Sequence, residues 1–463
     1  MPDRSDERLG TAPLGKLIFS LAIPSVVAQL VNLLYSIVDR IYIGHIADVG
    51  AMALTGLGLC TPILLVVSAF AAFAGMGGAP LAAMELGRGD RIKASRILSM
   101  SLLLLVCFSV VLTAVLLLCR LPLLRFFGAS DATIGYADSY ITIYLCGTIF
   151  VQLALGLNTF ISSQGQAKIA MLSVVIGAAA NIILDPVFIF LFDMDVRGAA
   201  LATVISQALS AGWVLRFLLS SKNVMPIRWK ALKPDLAVIG KIASLGVSPF
   251  IMQSTECLIS IVFTSGLSKY GGDLYVGTYT VLQSVCQLVF IPAHGFTYGA
   301  QPIISYNFGA EKFDRVKRCF LIMTGITFAY SLLFYVFIYI CPRVLAGMFT
   351  SDAALVQLSA EKLPIYMFGM SIFGIQMGAQ TALLGMGQAK VSLFIACLRK
   401  IILLTPLALL LPLAVGVDGI YLAEPISDAI SAICSGLLFF LIARKLLRTA
   451  PAADTQTETE TEL

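Results

Sequence analysis

Apolar residues fall along this chain in long blocks separated by short polar stretches. Twelve blocks approach or exceed the roughly 20 residues a helix needs to cross a bilayer. They run over 17–43, 51–84, 97–119, 136–162, 169–192, 198–220, 242–267, 276–305, 319–341, 363–385, 391–415 and 419–443. The longer blocks predict tilted helices or an interfacial turn. The first block lacks a small-residue cleavage site and is long enough to span, so it predicts a transmembrane helix, not a removable signal. The pattern predicts an all-α polytopic membrane protein of twelve helices.

Composition sets the solvent. The chain is 59% hydrophobic and 12% charged, where soluble domains carry about 25% charged residues. It cannot cover itself with polar surface, so lipid is its expected surroundings. The net charge of +5 would suggest nucleic acid in a soluble protein. Here Lys and Arg sit in short loops, which is a topology signal, and no nucleic-acid partner is expected. One alternating set of loops and termini holds 22 of them and the other holds 7. The rich set marks the cytoplasm, so both termini are expected there, in a plasma (inner) membrane protein. The final PAADTQTETETEL reads as a disordered tail. The ten cysteines form no CxxC pair and read as small core residues. His45 and His294 are too few for a histidine metal site. Neither clustered carboxylates for metal-pyrophosphate chemistry nor a Ser/His set is visible, so no enzyme and no cofactor are expected.

The chain repeats itself. Gly165-Gln166-Ala167-Lys168 recurs as Gly387-Gln388-Ala389-Lys390, an offset of 222 residues, and Pro80 matches Pro302 and Gly87 matches Gly309 at the same offset. Pro24 matches Pro249 at a slightly larger shift. Each half then holds six spans. An even number sends both halves into the membrane in the same direction, related by a pseudo-two-fold axis along the membrane normal. The expected organisation is a cytoplasmic segment over 1–16, an N-lobe over 17–220, a linker over 221–241, a C-lobe over 242–445 and a tail over 446–463.

Charge at bilayer depth costs at least about 2.5–3.5 kcal/mol on insertion scales, so each instance points toward function. Asp39 lies near the outer end of the first span. Asn181 and Asp185 share one face of the fifth span at i, i+4 spacing, and Thr203 lies in the outer half of the sixth. Two carboxylates with amide and hydroxyl oxygens form a hard-oxygen set that suits Na⁺ or a shared proton. Pro186 favours a kink that frees a nearby carbonyl. The competing reading has Asp39 ending its helix among headgroups and Asn and Thr acting as interhelical glue. In the second half, Glu256 lies near mid-depth with Gln253 and Thr255 beside it. Arg399 and Lys400 could neutralise it as a buried structural pair. Glu424 and Asp428 stand one turn apart, open to a functional or a structural role.

These residues resemble the MATE family, the multidrug and toxic compound extrusion transporters, over about residues 14–445. The likeness rests on Asn181-Ile-Ile-Leu-Asp185-Pro186-Val-Phe-Ile-Phe190, on Gly198-Ala-Ala-Leu-Ala-Thr203, and on Pro24 followed by Val38-Asp39-Arg40-Ile41-Tyr42-Ile43-Gly44. It is nearest to the bacterial multidrug-exporting branch. The resemblance implies a two-lobe fold and export of organic cations driven by Na⁺ or H⁺. It implies a cation site at Asp39, Asn181, Asp185 and Thr203, a C-lobe coupling glutamate at Glu256, and polar cavity positions at Tyr35 and Asn158. The expected mechanism is antiport by alternating access, bending at Pro24 or Pro186. Met252, Gln253, Tyr279, Gln283 and Gln287 would line a cleft for flat hydrophobic cations. The coupling ion, Na⁺ or H⁺, stays open. The expected partners are a small-molecule substrate and membrane lipid, and the chain is expected to work as a monomer. A rival reading is a lipid-linked saccharide flippase of the same superfamily, which would need a cationic cavity.

Overall fold

The computed structural model describes residues 5–46, 49–220, 223–227, 233–350 and 352–446. Among them it contains helices and no strand. A short helix α1 (Ser5–Thr11) precedes the first half. That half comprises α2 (Leu14–Gly44), α3 (Gly50–Gly87), α4 (Arg91–Phe126), α5 (Ile134–Cys146), α6 (Thr148–Ser163), α7 (Ala167–Pro186) and α8 (Asp195–Leu218). The second half comprises α9 (Leu236–Gly271), α10 (Asp273–Gly309), α11 (Phe313–Ile340), α12 (Pro342–Gly347), α13 (Ala353–Tyr366), α14 (Met370–Gly385), α15 (Ala389–Cys397), α16 (Thr405–Val415) and α17 (Asp418–Leu446). A π-helical turn, Val187–Leu191, prolongs α7, and another, Leu398–Leu404, joins α15 to α16. Ten helices are long and apolar enough to cross a membrane. The bent pairs α5–α6 (59°) and α13–α14 (52°) bring the number to twelve when each counts as one span. The molecule is an all-α, multi-pass membrane protein.

The repeat is visible in backbone geometry. Gly165 and Gly387, the glycines of the repeated tetrapeptide, adopt φ of 80° and 71°. At each, the following amide reaches back five residues, Gln166 to the Ile161 carbonyl and Gln388 to the Leu383 carbonyl. This is a left-handed helix stop, which glycine takes without a β-carbon clash. Gly89 closes α3 the same way with φ of 80°, and its counterpart 222 residues on is Glu311, which keeps a positive φ of 57°. The bends also correspond, since Gly147 separates α5 from α6 and Gly369 caps α14.

Buried side chains show where the halves meet. At the end carrying both termini the cores are shared. One cluster joins Leu98, Phe160 and Met225 to Ile242 of α9, and another joins Leu9, Leu17 and Ile18 to Ile303 and Leu383 of the second half. At the opposite end each half has its own core, one around Ile141 and Leu145, the other around Phe263 and Tyr421. The seam at the shared end is backbone against backbone: a β-carbon on Gly246 would strike the Phe73 carbonyl, and one on Gly309 the Met84 carbonyl. Helix α1 lies across this seam. Asp6 pairs with Arg91 of α4 at 3.1 Å. The Asn307 amide, Lys312 and Arg315 donate to the carbonyls of Leu9 (2.8 Å), Gly10 (3.0 Å) and Ala12 (2.8 Å). Cations and amides on a helix's last carbonyls satisfy acceptors that would otherwise be orphaned.

Part of the stretch expected as a linker packs against the first half: Val224 N–H donates to Gln164 Oε1 at 3.1 Å, and Met225 is fully buried. The expected tail lies outside the described residues beyond 446. The reading of cysteines as core residues needs correction. Cys60, Cys286 and Cys319 are buried, but Cys107, Cys119 and Cys146 are exposed and three more are half-buried. A lipid-facing surface only has to be apolar, so apolar sequence context did not imply burial.

The helix stops give a stability prediction. Gly165→Ala and Gly387→Ala should each destabilise by about 1–2 kcal/mol, because a β-carbon in the left-handed region clashes with the next carbonyl. Glu311→Gly should shift stability the other way by up to about 1 kcal/mol. Thermal unfolding of the purified variants in one detergent measures both signs.

Candidate functional site

The site of the first half is assembled from α2, α7 and α8. Tyr35 and Asp39 sit one turn apart on α2, and Asn181 and Asp185 one turn apart on α7, so each pair shares a face. The two carboxyl groups meet: Asp39 and Asp185 lie within hydrogen-bonding reach of each other. Asp185 is fully buried, Asn181 nearly so, and Asp39 is 9% exposed. The Asn181 amide donates to Asp185 Oδ1 at 3.1 Å and lies 3.5 Å from the Thr203 hydroxyl on α8. Pro186 then opens the π turn, the local irregularity its missing N–H favours. The helix α2 runs unbroken through Pro24.

Three oxygens of this cluster are buried without a hydrogen-bond donor: Asp39 Oδ1, Asn181 Oδ1 and Asp185 Oδ2. A buried acceptor left unpaired costs about 1–3 kcal/mol, more when charged. No Lys or Arg pairs with either aspartate among the described ion pairs. Two carboxylates at this range do not both stay ionised without a cation or shared proton between them. The donor set, all oxygen and partly anionic, fits a small hard cation or a proton.

The cluster adjoins a cavity of about 300 Å³. Asn181 and Thr203 line it, with Tyr35, Asn158, Ser206 and Gln207 of the first half and Gln253, Tyr298 and Gln301 of the second. Its lining residues include no Asp, Glu, Lys or Arg. Asn158 donates to the Ala170 carbonyl at 3.2 Å and leaves Oδ1 unpaired, as do the hydroxyls of Ser206 and Ser305.

The second half holds a different cluster. Arg399, 8% exposed, bridges two acids of α17: Nε reaches Asp428 at 2.7 Å and Nη2 reaches Glu424 at 3.1 Å. Its guanidinium stands 4.5 Å from the Phe373 ring centroid. Lys400, 5% exposed, pairs with Glu256 of α9. Both cations come from the π turn, where the Lys400 carbonyl accepts from the Thr405 hydroxyl at 2.8 Å.

The sequence matches a family model described as MatE over residues 24–187 and again over 249–410, one stretch in each half. The chain belongs to the MatE family. It is therefore a membrane transporter and not an enzyme. Among curated relatives, it is similar to the multidrug export protein MepA of Staphylococcus aureus (strain MRSA252), with 23% identity over 442 residues, 94% of this chain and 95% of the relative. It is also similar to MepA of Staphylococcus saprophyticus, with 24% identity over 93% of this chain and 94% of the relative. Among solved structures it superposes on an outward-facing multidrug resistance MATE transporter of the MOP superfamily (TM-score 0.88, 22% identity, 96% of this chain and 98% of that one). It superposes equally on a Pyrococcus furiosus MOP-superfamily transporter described as having a binding pocket of reversed polarity (TM-score 0.89, 22% identity, 96% and 98%). At this identity these likenesses establish the MATE fold alone.

Within this MATE fold the predicted site residues sort into three places. Asp39, Asn181, Asp185 and Thr203 come together, and Tyr35 and Asn158 line the cavity beside them. Glu256, Arg399, Lys400, Glu424 and Asp428 form the second cluster. Of the expected cleft residues, Gln253 lines the cavity. Gln283 instead donates to the hydroxyls of Tyr279 (2.7 Å) and Tyr366 (3.1 Å). Met252 accepts from Gln380, and Gln287 is exposed outside the cavity lining. Sequence reasoning missed Gln29, Asn32, Tyr298 and Gln301 in the lining. A signal existed: Ser25, Gln29, Asn32 and Tyr35 form a polar stripe at helical spacing along an otherwise apolar α2.

Removing Arg399 alone would strand the buried Asp428 carboxylate and the half-buried Glu424 carboxylate. Arg399→Leu should cost about 3–5 kcal/mol, the range for breaking a buried pair by deleting one partner. Asp428→Asn, which leaves Arg399 its bond to Glu424, should cost clearly less. Detergent unfolding midpoints decide the order.

Proposed function

We propose that the chain exports organic cations, including drugs and other toxic compounds, by alternating access. Inward movement of Na⁺ or H⁺ at Asp39, Asn181, Asp185 and Thr203 drives it. The relatives named as multidrug exporters support the substrate class. One observation carries the coupling: Asn181 and Thr203 belong both to the oxygen cluster that fits a cation and to the cavity that fits a substrate. A cation arriving between Asp39 and Asp185 satisfies their unpaired oxygens and draws the Asn181 amide out of its present bonds. The cavity wall changes with it, so ion and substrate occupy linked states. By linkage, each then lowers the affinity for the other by the same factor.

The basic loops support a cytoplasmic position for the end carrying both termini, in a plasma membrane. The halves share buried cores at that end and keep separate cores at the other, which supports an outward-facing arrangement. Pro24 and Pro186 are the proposed bending points for the return. One charge crossing 100 mV supplies about 2.3 kcal/mol, roughly a fifty-fold concentration ratio. The neutral cavity lining speaks against the lipid-linked saccharide reading, because a pyrophosphate would need cationic groups there.

The test is ethidium efflux from proteoliposomes under a Na⁺ gradient alone and a pH gradient alone. One gradient should drive efflux, and Asp39→Asn with Asp185→Asn should reduce that efflux at least about ten-fold, since the driving ion loses both charges. Wild-type driven efflux in the double variant would sink the assignment.

A further inference from the structure

We infer that Lys400 is a tethered counter-ion that permanently holds the cation position at Glu256, so that this glutamate exchanges no ion from solution. The inference builds on the assignment of ion coupling to Asp39 and Asp185, and concerns the second half alone.

The two acidic clusters balance charge in opposite ways. Asp39 and Asp185 face each other with buried oxygens unpaired. Glu256, Glu424 and Asp428 face two cations of the same chain. Arg399 and Lys400 are consecutive, and in a regular helix consecutive side chains diverge by about 100°. The π turn Leu398–Leu404 carries both inward, Arg399 toward α17 and Lys400 toward α9. The equivalent helix of the first half has its π turn at Val187–Leu191, a Val-Phe-Ile-Phe-Leu segment without a cation. That π turn therefore supplies no cation to Asp39 or Asp185.

Access to the pair is one-sided. The Glu256 side chain is 56% accessible and the Lys400 side chain 6%. A free ion arriving at the carboxylate must compete with an ammonium rooted behind it. That ammonium lost its mobility when the chain folded, whereas a free ion loses its own on binding. Lys400 cannot turn to another acid at no cost, because Arg399 already holds Asp428 and Glu424. Lys400 contacts Glu256, and Arg399 from the π turn, His294, Tyr279 and Cys286 from α10, and Glu424 from α17 lie within electrostatic range of it. Three carboxylates meet two cations, and the surplus negative charge sits on the Glu424–Asp428 pair astride Arg399, away from Glu256. Removing the Lys400 charge is thus the specific way to turn Glu256 into an exchanging site.

The experiment counts driving ions per ethidium from the reversal potential of the reconstituted full-length protein under combined Na⁺ and pH gradients. Lys400→Met should add one driving ion per cycle. Glu256→Gln with Lys400→Met should return the count to the wild-type value. An unchanged count in Lys400→Met overturns the inference. So does a double variant that couples one ion fewer than wild type, because Glu256 would then have been exchanging all along. If Lys400→Met does not reach a folded state, Glu256→Gln with Lys400→Gln, a neutral hydrogen-bonding pair, decides alone: the wild-type count upholds the inference and a lower one overturns it. Asp39→Asn with Asp185→Asn in the same vesicles reports separately on the first-half assignment, since its failure would leave the Lys400 comparison readable.

Discussion

The constraint on which the rest of the structure depends is the cost of charge in a medium that cannot solvate it. Every ionised group at bilayer depth must meet a counter-charge, a donor or an ion. The bundle contains both kinds of answer. Arg399 bridges Glu424 and Asp428 and Lys400 pairs with Glu256, so the counter-charges of that cluster come from within the fold. Asp39 and Asp185 are pressed together with unpaired oxygens, so their answer has to come from outside. A site completed only by a visitor can depend on the visitor's gradient, and a site completed by its own chain cannot.

This division arises on a scaffold that is nearly symmetric. Helix α7 begins at Ala167 and α15 at Ala389, the repeat offset apart, and the stops and bends before them correspond. The symmetry even overrides residue preference, since Glu311 keeps the left-handed geometry that Gly89 takes freely. It fails inside the helix that supplies the charges. The π turn follows the twentieth residue of α7 but the ninth of α15. A π turn rotates every later side chain about the axis, so moving it changes which residues enter the interior. The same fold unit thereby yields an oxygen-only cluster in one half and a cation-bearing cluster in the other.

How much of this the sequence revealed depended on the physics of each feature. The twelve spans were legible because the bilayer demands long apolar runs. Their ends were less so: α9 begins at Leu236, six residues before the expected 242, because helices continue past the hydrocarbon edge. The i, i+4 pairing of Asn181 with Asp185 was readable because it is local. The cavity was readable only on α2, through the polar stripe from Ser25 to Tyr35, because helices apolar on all sides give little sign of which face meets a partner. The expectation of a cleft rich in Met and aromatic residues placed Tyr279 and Gln283 at the substrate. They instead satisfy one another and Tyr366 inside the second half. The paired roles of Arg399 and Lys400 were hidden for a further reason. Consecutive residues on a regular helix point about 100° apart, and nothing local announced the π turn.

The placement of Asn181 connects these features. Its amide donates to Asp185 and also approaches Thr203, while its own carbonyl oxygen is unpaired beside the cavity. An ion that neutralises Asp185 removes the reason for that amide to point where it does. The amide can then turn, and its oxygen and nitrogen exchange the faces they present to a substrate. Thr203 on α8 feels the same change across 3.5 Å. No long-range pathway is needed between ion and substrate, because one side chain belongs to both sites. The second cluster lacks such a residue. Lys400 and Arg399 close their acids against change, and none of the five charged residues there lines the cavity. In the proposed exchange the second half therefore serves as the rigid partner, against which the first half changes its charge and its shape.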